Sequence, residues 1–286
     1  MMTLAKRKVL LVVHPTNPKA VVSASELSLL LISRGFLVVT NSPHEIAGAS
    51  TFESVAELEI AVVFGGDGTI LRAAELVRDS EVPILGINLG NVGFLAEVSR
   101  PSITSIADAI EAGNYRTESR LLLRYEVLRD QKVIESGWAL NEVAIERNNT
   151  QMVQLFLQID GRPLSRWGCD GVICATPTGS TAYAFSAGGP VVWPEVNALV
   201  LLPLAAHALF SRPMVVSPDS EIAIDLETDE ALLLADGMRK MSLRQHDRIV
   251  LTKDSKRVQL THIEDALFTD RLVAKFKLPI EGWRGE

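Results

Sequence analysis

The sequence has few cysteines, few aromatic residues and no excess of positive charge. Of 286 residues, two are cysteine and 6% are aromatic, and 28 lysines and arginines stand against 35 aspartates and glutamates, which gives a net charge of −7. This balance disfavours a broad surface for nucleic acid or for an anionic membrane, because either partner needs a positive field. A local basic pocket is still compatible with it.

Both cysteines, Cys169 and Cys174, are interpreted as members of one strand. Because successive side chains of a strand alternate between its faces, the odd spacing predicts that the thiols face apart and form no mutual disulfide. Long apolar runs are also absent: residues 9–13 are fewer than a signal peptide needs, and residues 198–206 fall far below the roughly 20 needed to cross a bilayer. A reducing compartment, and hence the cytoplasm, is expected.

Two common nucleotide-binding signatures are missing. The chain has no G-x-x-x-x-G-K-[ST] and no G-x-G-x-x-G after a strand, which disfavours a Walker-type ATPase and an ordinary dinucleotide-binding dehydrogenase. The five histidines and two cysteines do not have the spacing of zinc ligands. Any phosphate chemistry is therefore expected to use a different cradle.

The first part of the chain alternates apolar strands with helical patterns. The predicted strands are residues 9–13, 36–40, 60–64 and 83–88, and the predicted helices are residues 23–34, 70–78 and 103–112. This alternation predicts an α/β domain over residues 1–117, with a Rossmann-like parallel sheet covered by helices on both faces.

From about Leu121 the sequence changes to apolar alternation typical of strands, with turn residues in between. The predicted strands are residues 124–129, 152–160, 172–175, 221–227, 248–252 and 257–263. They predict a β-rich, sandwich-like domain over residues 118–265. A helical pattern returns at residues 268–276, within a C-terminal segment over residues 266–286.

The sharpest motif is GGDGT, which directly follows the third predicted strand and opens a helix. Glycines let the backbone approach a bulky anion, and amides at a helix start point toward negative charge. The predicted phosphate-binding residues are Gly65, Gly66, Gly68 and Thr69. Because Asp67 would repel a phosphate unless it holds a metal or takes a proton, it is interpreted as either magnesium-associated or a general base. The alternative is a tight turn capped by Asp67 or Thr69.

Other segments are compatible with nucleotide binding without being specific. Residues 86–95 (GINLGNVGFL) either contact a ligand or form a loop that needs positive φ at Gly90 and Gly93. Residues 176–183 (TPTGSTAY) either receive a purine and its ribose or form a hydroxyl-rich capping turn. The pair at residues 141–142 (NE) either grips ribose hydroxyls or is a satisfied structural pair, and residues 170–171 (DG) are equally ambiguous.

Together these motifs resemble the NAD kinase family, which transfers a phosphoryl group from ATP to the 2′-hydroxyl of the adenosine ribose of NAD and so makes NADP. The resemblance extends nearly end to end, through HP, NPKA, GGDGT, NLGNVGFLAE, NE, DG and TPTGSTAY. GGDGT alone is shared with phosphofructokinases and with diacylglycerol or sphingosine kinases. TPTGSTAY together with the Asn-Glu pair is similar to NAD kinases only.

The resemblance implies a role for each matching residue. Asp67 matches the proton acceptor, and Gly68 and Arg72 match residues that line the dinucleotide near its reactive ribose. Asn141 and Glu142 match the pair that holds ribose and adenine. The other implied NAD-binding residues are Asp170, Thr181, Ala182, Tyr183 and Ser186. The chain departs from many relatives at Gly168 and Met238, where polar residues are common.

The resemblance also implies partners and cofactors. These are NAD and ATP, with Mg²⁺ bound mainly through ATP and no metal ligand assigned on the protein, and a homodimer or homotetramer without nucleic acid or membrane. It implies that the C-terminal segment returns to the first domain. Two alternatives stay open. One is a lipid or sugar kinase of the GGDGT group, although the negative charge gives a membrane-facing enzyme little support. The other is a non-catalytic dinucleotide sensor, which would have no need of Asp67.

Overall fold

The computed structural model describes residues 7–90, 93–97 and 101–280. The chain divides into two compact units, Met1–Ser119 with Val258–Glu286, and Arg120–Arg257. The domain limits at residues 117 and 265 stay predictions. Within the described ranges, no helix combines the length and apolar character that crossing a bilayer demands.

The first unit is built on a parallel sheet. Its elements are β1 (Lys8–Val13), α1 (Pro18–Ser33), β2 (Leu37–Thr40), β3 (Ser50–Thr51), β4 (Leu58–Phe64), α2 (Asp67–Val77), β5 (Ile84–Ile87), α3 (Ile103–Ala112) and, near the C-terminus, α5 (Phe268–Phe276). The strands lie in the order β5-β4-β1-β2-β3 and are all parallel. The α/β architecture predicted for this part of the chain is confirmed.

Helix α1 begins at Pro18, before the predicted start at residue 23. The Asn17 side chain caps the helix by accepting the N–H of Lys19, and Pro18 takes the first helical position, where its missing N–H costs nothing. The apolar period alone misses this first turn, because the turn opens with the exposed residues Pro18 and Lys19. The buried side chains of α1 are Ala20, Ala24, Leu27, Ser28 and Leu31, a helical stripe on the sheet.

The second unit consists almost entirely of strands. They are β6 (Arg116–Arg129), β7 (Lys132–Ala139), β8 (Glu142–Glu146), β9 (Val153–Ile159), β10 (Arg162–Cys169), β11 (Gly171–Ala175), β12 (Leu199–Leu204), β13 (Met214–Val216), β14 (Ile222–Leu226), β15 (Glu230–Ala235), β16 (Arg239–Arg244) and β17 (Arg248–His262), with the short helix α4 (Tyr183–Ser186). β6 begins in the first unit, and β17 ends there, pairing with β5.

Two antiparallel layers make up the second unit. One sheet has the order β13-β12-β11-β8-β15-β16, and the other layer contains β10-β9-β14 and the start of β17. A single apolar cluster takes side chains from both layers, as expected of a sandwich. The predicted β-rich, sandwich-like fold is therefore confirmed.

Two local predictions for the second unit are wrong. Residues 248–252 and 257–262 belong to one continuous strand, which runs through the polar residues between them. Cys169 ends β10 whereas Cys174 lies inside β11, so the two cysteines do not share a strand. Both thiols are free and are buried in the same apolar cluster.

Candidate active site

The predicted site residues fall in both units, and each set has its own local framework. In the first unit the GGDGT motif forms the turn between β4 and α2. Gly66 is the N-cap of α2 and makes no side-chain capping bond, so the predicted cap by Asp67 or Thr69 is wrong. Asp67 is the first helical residue, and the exposed Arg72 lies four residues after Gly68 on the same side of the helix.

Some backbone amides of this turn donate hydrogen bonds within the protein, and others are positioned to bind an anion. The Gly65 N–H donates to Ile87 O at 3.1 Å, and the Thr69 N–H donates to Gly66 O at 2.8 Å. Thr69 is only 4% exposed, and its side chain fills the space where a Cβ at residue 65 would lie. The amides of residues 66–68 precede the first helical bond and are the donors that a helix start offers to an anion. A phosphate contact by Gly65 or Thr69 stays a prediction.

Asp67 is anchored by backbone amides of the segment that follows β5. Its Oδ2 accepts the N–H of Phe94 at 3.0 Å, and its Oδ1 accepts the N–H of Leu95 at 3.1 Å. A Cβ added at Gly93 would approach the carboxyl carbon of Asp67 to 2.8 Å, so glycine is required there for close approach. Neither interpretation of this glycine-rich segment foresaw that role. Two residues of its NLGNVGFLAE motif, Asn91 and Val92, lie outside the described residues.

In the second unit, Asp236 organises the backbone around Asn141 and Glu142. Its carboxylate accepts the N–H groups of Leu140 at 2.9 Å, Asn141 at 2.7 Å and Glu142 at 3.3 Å. Arg239 donates to the same carboxylate at 2.7 Å, and its guanidinium stacks 4.4 Å from the centroid of the Trp138 ring. The sequence interpretation missed this function of Asp236, although the acidic residue before a glycine was a usable signal.

The TPTG half of TPTGSTAY supports the same backbone from the other side. Thr176 donates two hydrogen bonds there: its N–H donates to Asn141 O at 2.8 Å, and its hydroxyl donates to Leu140 O at 2.5 Å. A Cβ at Gly179 would collide with the carbonyl of Asn141. Thr176 and Gly179 are therefore structural. Of the predicted NAD-binding residues in this region, Tyr183 and Ser186 are exposed and Thr181 and Ala182 are partly exposed; Phe185, which is outside the predicted set, is exposed as well.

Acidic groups gather around Tyr183. Burial, followed by the interaction with Glu146 and the charges of Glu142 and Asp170, raises the pKa of Tyr183 to about 12. Asp170 also forms an ion pair with Arg147 at 3.2 Å. This surface therefore suits a ligand part that donates hydrogen bonds, such as ribose hydroxyls or an adenine amino group.

Glu142 carries the most unusual electrostatics of the predicted residues. It is 6% exposed, and burial followed by the nearby charge of Asp236 raises its pKa from 4.5 to about 8. Among the described residues, its Oε2 is one of few buried side-chain atoms without a hydrogen-bond partner. A buried polar atom without a partner is costly, so a bound ligand hydroxyl would satisfy it.

The raised pKa predicts how Glu142 affects stability with pH. Ionisation of Glu142 is easier in the unfolded chain, so its stabilising contribution is full below about pH 4.5 and is lost as pH rises through about 8. Glu142→Gln should remove this loss. We expect the free energy of unfolding of wild type, measured in urea relative to the variant, to fall by a few kcal/mol between these limits. A pH-independent difference between the two proteins would contradict the assignment.

The described residues do not fit a metal ion held by the protein itself. Within them, no three His, Cys, Asp or Glu side chains come together as a potential ligand set. No reaction step is therefore assigned to a protein-held metal.

Comparisons with known proteins agree with this two-unit arrangement. Models of the ATP-NAD kinase N-terminal domain and C-terminal domain match residues 49–115 and 140–263. An NAD kinase 2 of Streptomyces avermitilis is 43% identical over 292 residues, which cover 98% of this chain and 97% of the relative. An NAD kinase of Mycobacterium tuberculosis is 42% identical and is covered to 99%, as is this chain.

Solved structures show the same fold. An NAD kinase from Archaeoglobus fulgidus in complex with ATP has a TM-score of 0.69 and 28% identity, covering 93% of this chain and 98% of its own. Yeast NADH kinase complexed with NADH has a TM-score of 0.80 at 24% identity, covering 96% of this chain and 87% of its own. The resemblance predicted from the motifs is confirmed: the chain belongs to the NAD kinase family of phosphotransferases.

Proposed function

We propose that this protein phosphorylates the 2′-hydroxyl of the adenosine ribose of NAD with ATP, with Asp67 as the proton acceptor. Membership of the NAD kinase family supports the reaction. The observation that supports the acceptor assignment is the buried, unpartnered oxygen of Glu142 among groups that accept hydrogen bonds. Ribose hydroxyls can both accept from a protonated carboxyl and donate to the neighbouring acceptors, and the adenine amino group can donate to them.

Phosphoryl transfer from ATP to the 2′-hydroxyl would use the residues at the β4–α2 turn. Asp67 takes the proton of the 2′-hydroxyl, the freed oxygen bonds to the γ-phosphorus of ATP, and the bond from that phosphorus to the β-phosphate oxygen breaks to release ADP. Each carboxylate oxygen has a second lone pair, so its bond to a backbone amide leaves capacity for the proton. The amides of residues 66–68 hold phosphate oxygens.

The remaining roles are assigned as follows. Asn141 and Glu142 hold the acceptor's ribose and adenine, and Gly68 and Arg72 line the dinucleotide near the reactive hydroxyl. The other NAD contacts are Asp170, Thr181, Ala182, Tyr183 and Ser186. Mg²⁺ accompanies ATP through its phosphates, and the protein acts as a homodimer or homotetramer. Its cytoplasmic location fits the free thiols of Cys169 and Cys174.

The test compares NAD with an analogue that carries 2′-deoxyadenosine, both under saturating ATP and Mg²⁺. We expect NADP from NAD, detected with an NADP-specific dehydrogenase, and no phosphorylated product from the analogue. The analogue should still compete with NAD, because the rest of its contacts remain. No NADP from well-folded protein would refute the function, and phosphorylation of the analogue would refute the 2′-hydroxyl as the acceptor.

Neither alternative is favoured. The relatives and structures described above are NAD kinases and one NADH kinase, and they give no support to a lipid or sugar kinase. A dinucleotide sensor would not need the Asp67 carboxylate, which two backbone hydrogen bonds fix at the β4–α2 turn.

A further inference from the structure

Residues 93–97, which hold the carboxylate of Asp67, are themselves held by the C-terminal helix α5. Arg271 on this helix is 2% exposed, and its Nη1 donates to the carbonyl of Phe94 at 3.3 Å and to the carbonyl of Ala96. The Phe94 ring packs against the rings of Phe268 and Phe276, with centroids 6.0 and 5.7 Å away. α5 lies outside both ranges matched by the family models.

One peptide group connects Arg271 to Asp67. The carbonyl of Phe94 accepts from Arg271, and the N–H of the same peptide, that of Leu95, donates to Asp67 Oδ1 at 3.1 Å. A cation on the carbonyl oxygen polarises the peptide and strengthens the hydrogen bond that its N–H makes. The Arg271 guanidinium therefore influences the Asp67 carboxylate through this peptide, without a direct contact between the two side chains.

Buried acceptors fix the guanidinium in this position. Its Nη2 donates to Nδ1 of His262 at 2.9 Å, which requires that this nitrogen be unprotonated. The ring of His262 lies 3.6 Å from Glu97 and 3.6 Å from Glu118, and Glu97 Oε1 accepts the N–H of Ile263 at 2.7 Å. Burial lowers the pKa of Arg271, whereas the charges of Glu97, Glu118 and Asp67 favour its protonated form.

We propose that Arg271 is a positioning residue for phosphoryl transfer, which acts through the Phe94–Leu95 peptide to fix the carboxylate of Asp67. This inference rests on the proposed function. The rings of Phe268 and Phe276 also attach α5 to Phe94, independently of Arg271. Burying a guanidinium costs free energy, because the charge loses its hydration. Arg271 is nevertheless buried and donates to the carbonyls of Phe94 and Ala96, in the segment that holds Asp67.

The test measures kcat and KM in Arg271→Gln, Arg271→Met and Arg271→Lys, each alone and combined with Asp67→Asn. We expect Arg271→Met to lower kcat at least ~10-fold while the KM for NAD changes less than ~3-fold, because a misplaced catalytic group slows chemistry more than it weakens binding. Arg271→Lys should recover part of the loss. In the Asp67→Asn background, each Arg271 substitution should have little further effect, since the group through which it acts is already lost.

The control is Arg129→Met, which also removes an arginine from a buried carboxylate, Asp247, with an Nε to Oδ1 distance of 2.8 Å. It should lower the Tm but leave kcat near the wild-type value. Should Arg271→Met fail to fold, the Gln and Lys variants still decide the question. Losses that multiply with that of Asp67→Asn, or folded variants with wild-type kcat, would overturn the positioning role. Absence of NADP formation by wild type would instead overturn the proposed function.

Discussion

Asp67→Asn is expected to lower kcat for NADP formation at least ~10²-fold, the usual scale for removing a positioned general base. The amide cannot take the proton of the 2′-hydroxyl. It also places an NH₂ group against one of the two backbone amides, of Phe94 or Leu95, that now donate to the carboxylate. The variant should therefore lose both the base and one anchor of residues 93–97. The measurement is steady-state kinetics with NAD and ATP varied in turn.

Two comparisons separate these effects. NAD binding measured by calorimetry and the Tm show the effect of losing a bond to residues 93–97, and kcat shows the effect of losing the base. Asp108→Asn is the matched control, because Asp108 is exposed and pairs with Arg34 at 2.7 Å on the surface, where an ion pair contributes little to stability. It should behave as wild type in all three measurements. Near-normal kcat in folded Asp67→Asn would show that Asp67 is only a structural anchor.

Asp236→Ala is expected to lower the free energy of unfolding by about 3 to 5 kcal/mol, the scale for breaking a buried, hydrogen-bonded ion pair. The substitution leaves Arg239 without its carboxylate and the N–H groups of Leu140, Asn141 and Glu142 without their acceptor. Because these amides shape the backbone that presents Asn141 and Glu142, the KM for NAD should rise as well. Urea denaturation and NAD titration measure the two effects.

Asp236→Asn should have a smaller effect than Asp236→Ala, since its one carbonyl oxygen can still accept some of these N–H groups. Asp225→Ala is the control: Asp225 is half-buried and pairs with Arg248 at 3.4 Å, so its loss should cost much less. If Asp236→Ala unfolds at the same urea concentration as Asp225→Ala, then Asp236 does not hold this backbone. If it is destabilised with an unchanged KM for NAD, Asp236 supports the fold and not the presentation of Asn141 and Glu142.

Most of the fold could be predicted from the sequence, because local side-chain patterns determine it. The helix at Ile103–Ala112 follows from its apolar period, its Ser102 cap and the left-handed Gly113 that ends it. The start of α1 and the continuity of β17 were not predicted, since capping and backbone pairing leave weaker traces in apolar periodicity than burial does.

The sequence by itself determined the family and the chemical types at the site, because GGDGT and TPTGSTAY are short motifs whose identity is local. Only the tertiary structure showed which residues hold them. In the sequence, Asp67 is 27 residues from Phe94, whose N–H it accepts, and Asp236 is 96 residues from Leu140. Arg271 is 177 residues from Phe94, to whose carbonyl it donates. Such bonds follow from how strands and helices pack, and one sequence carries no periodic signal for contacts between residues so far apart.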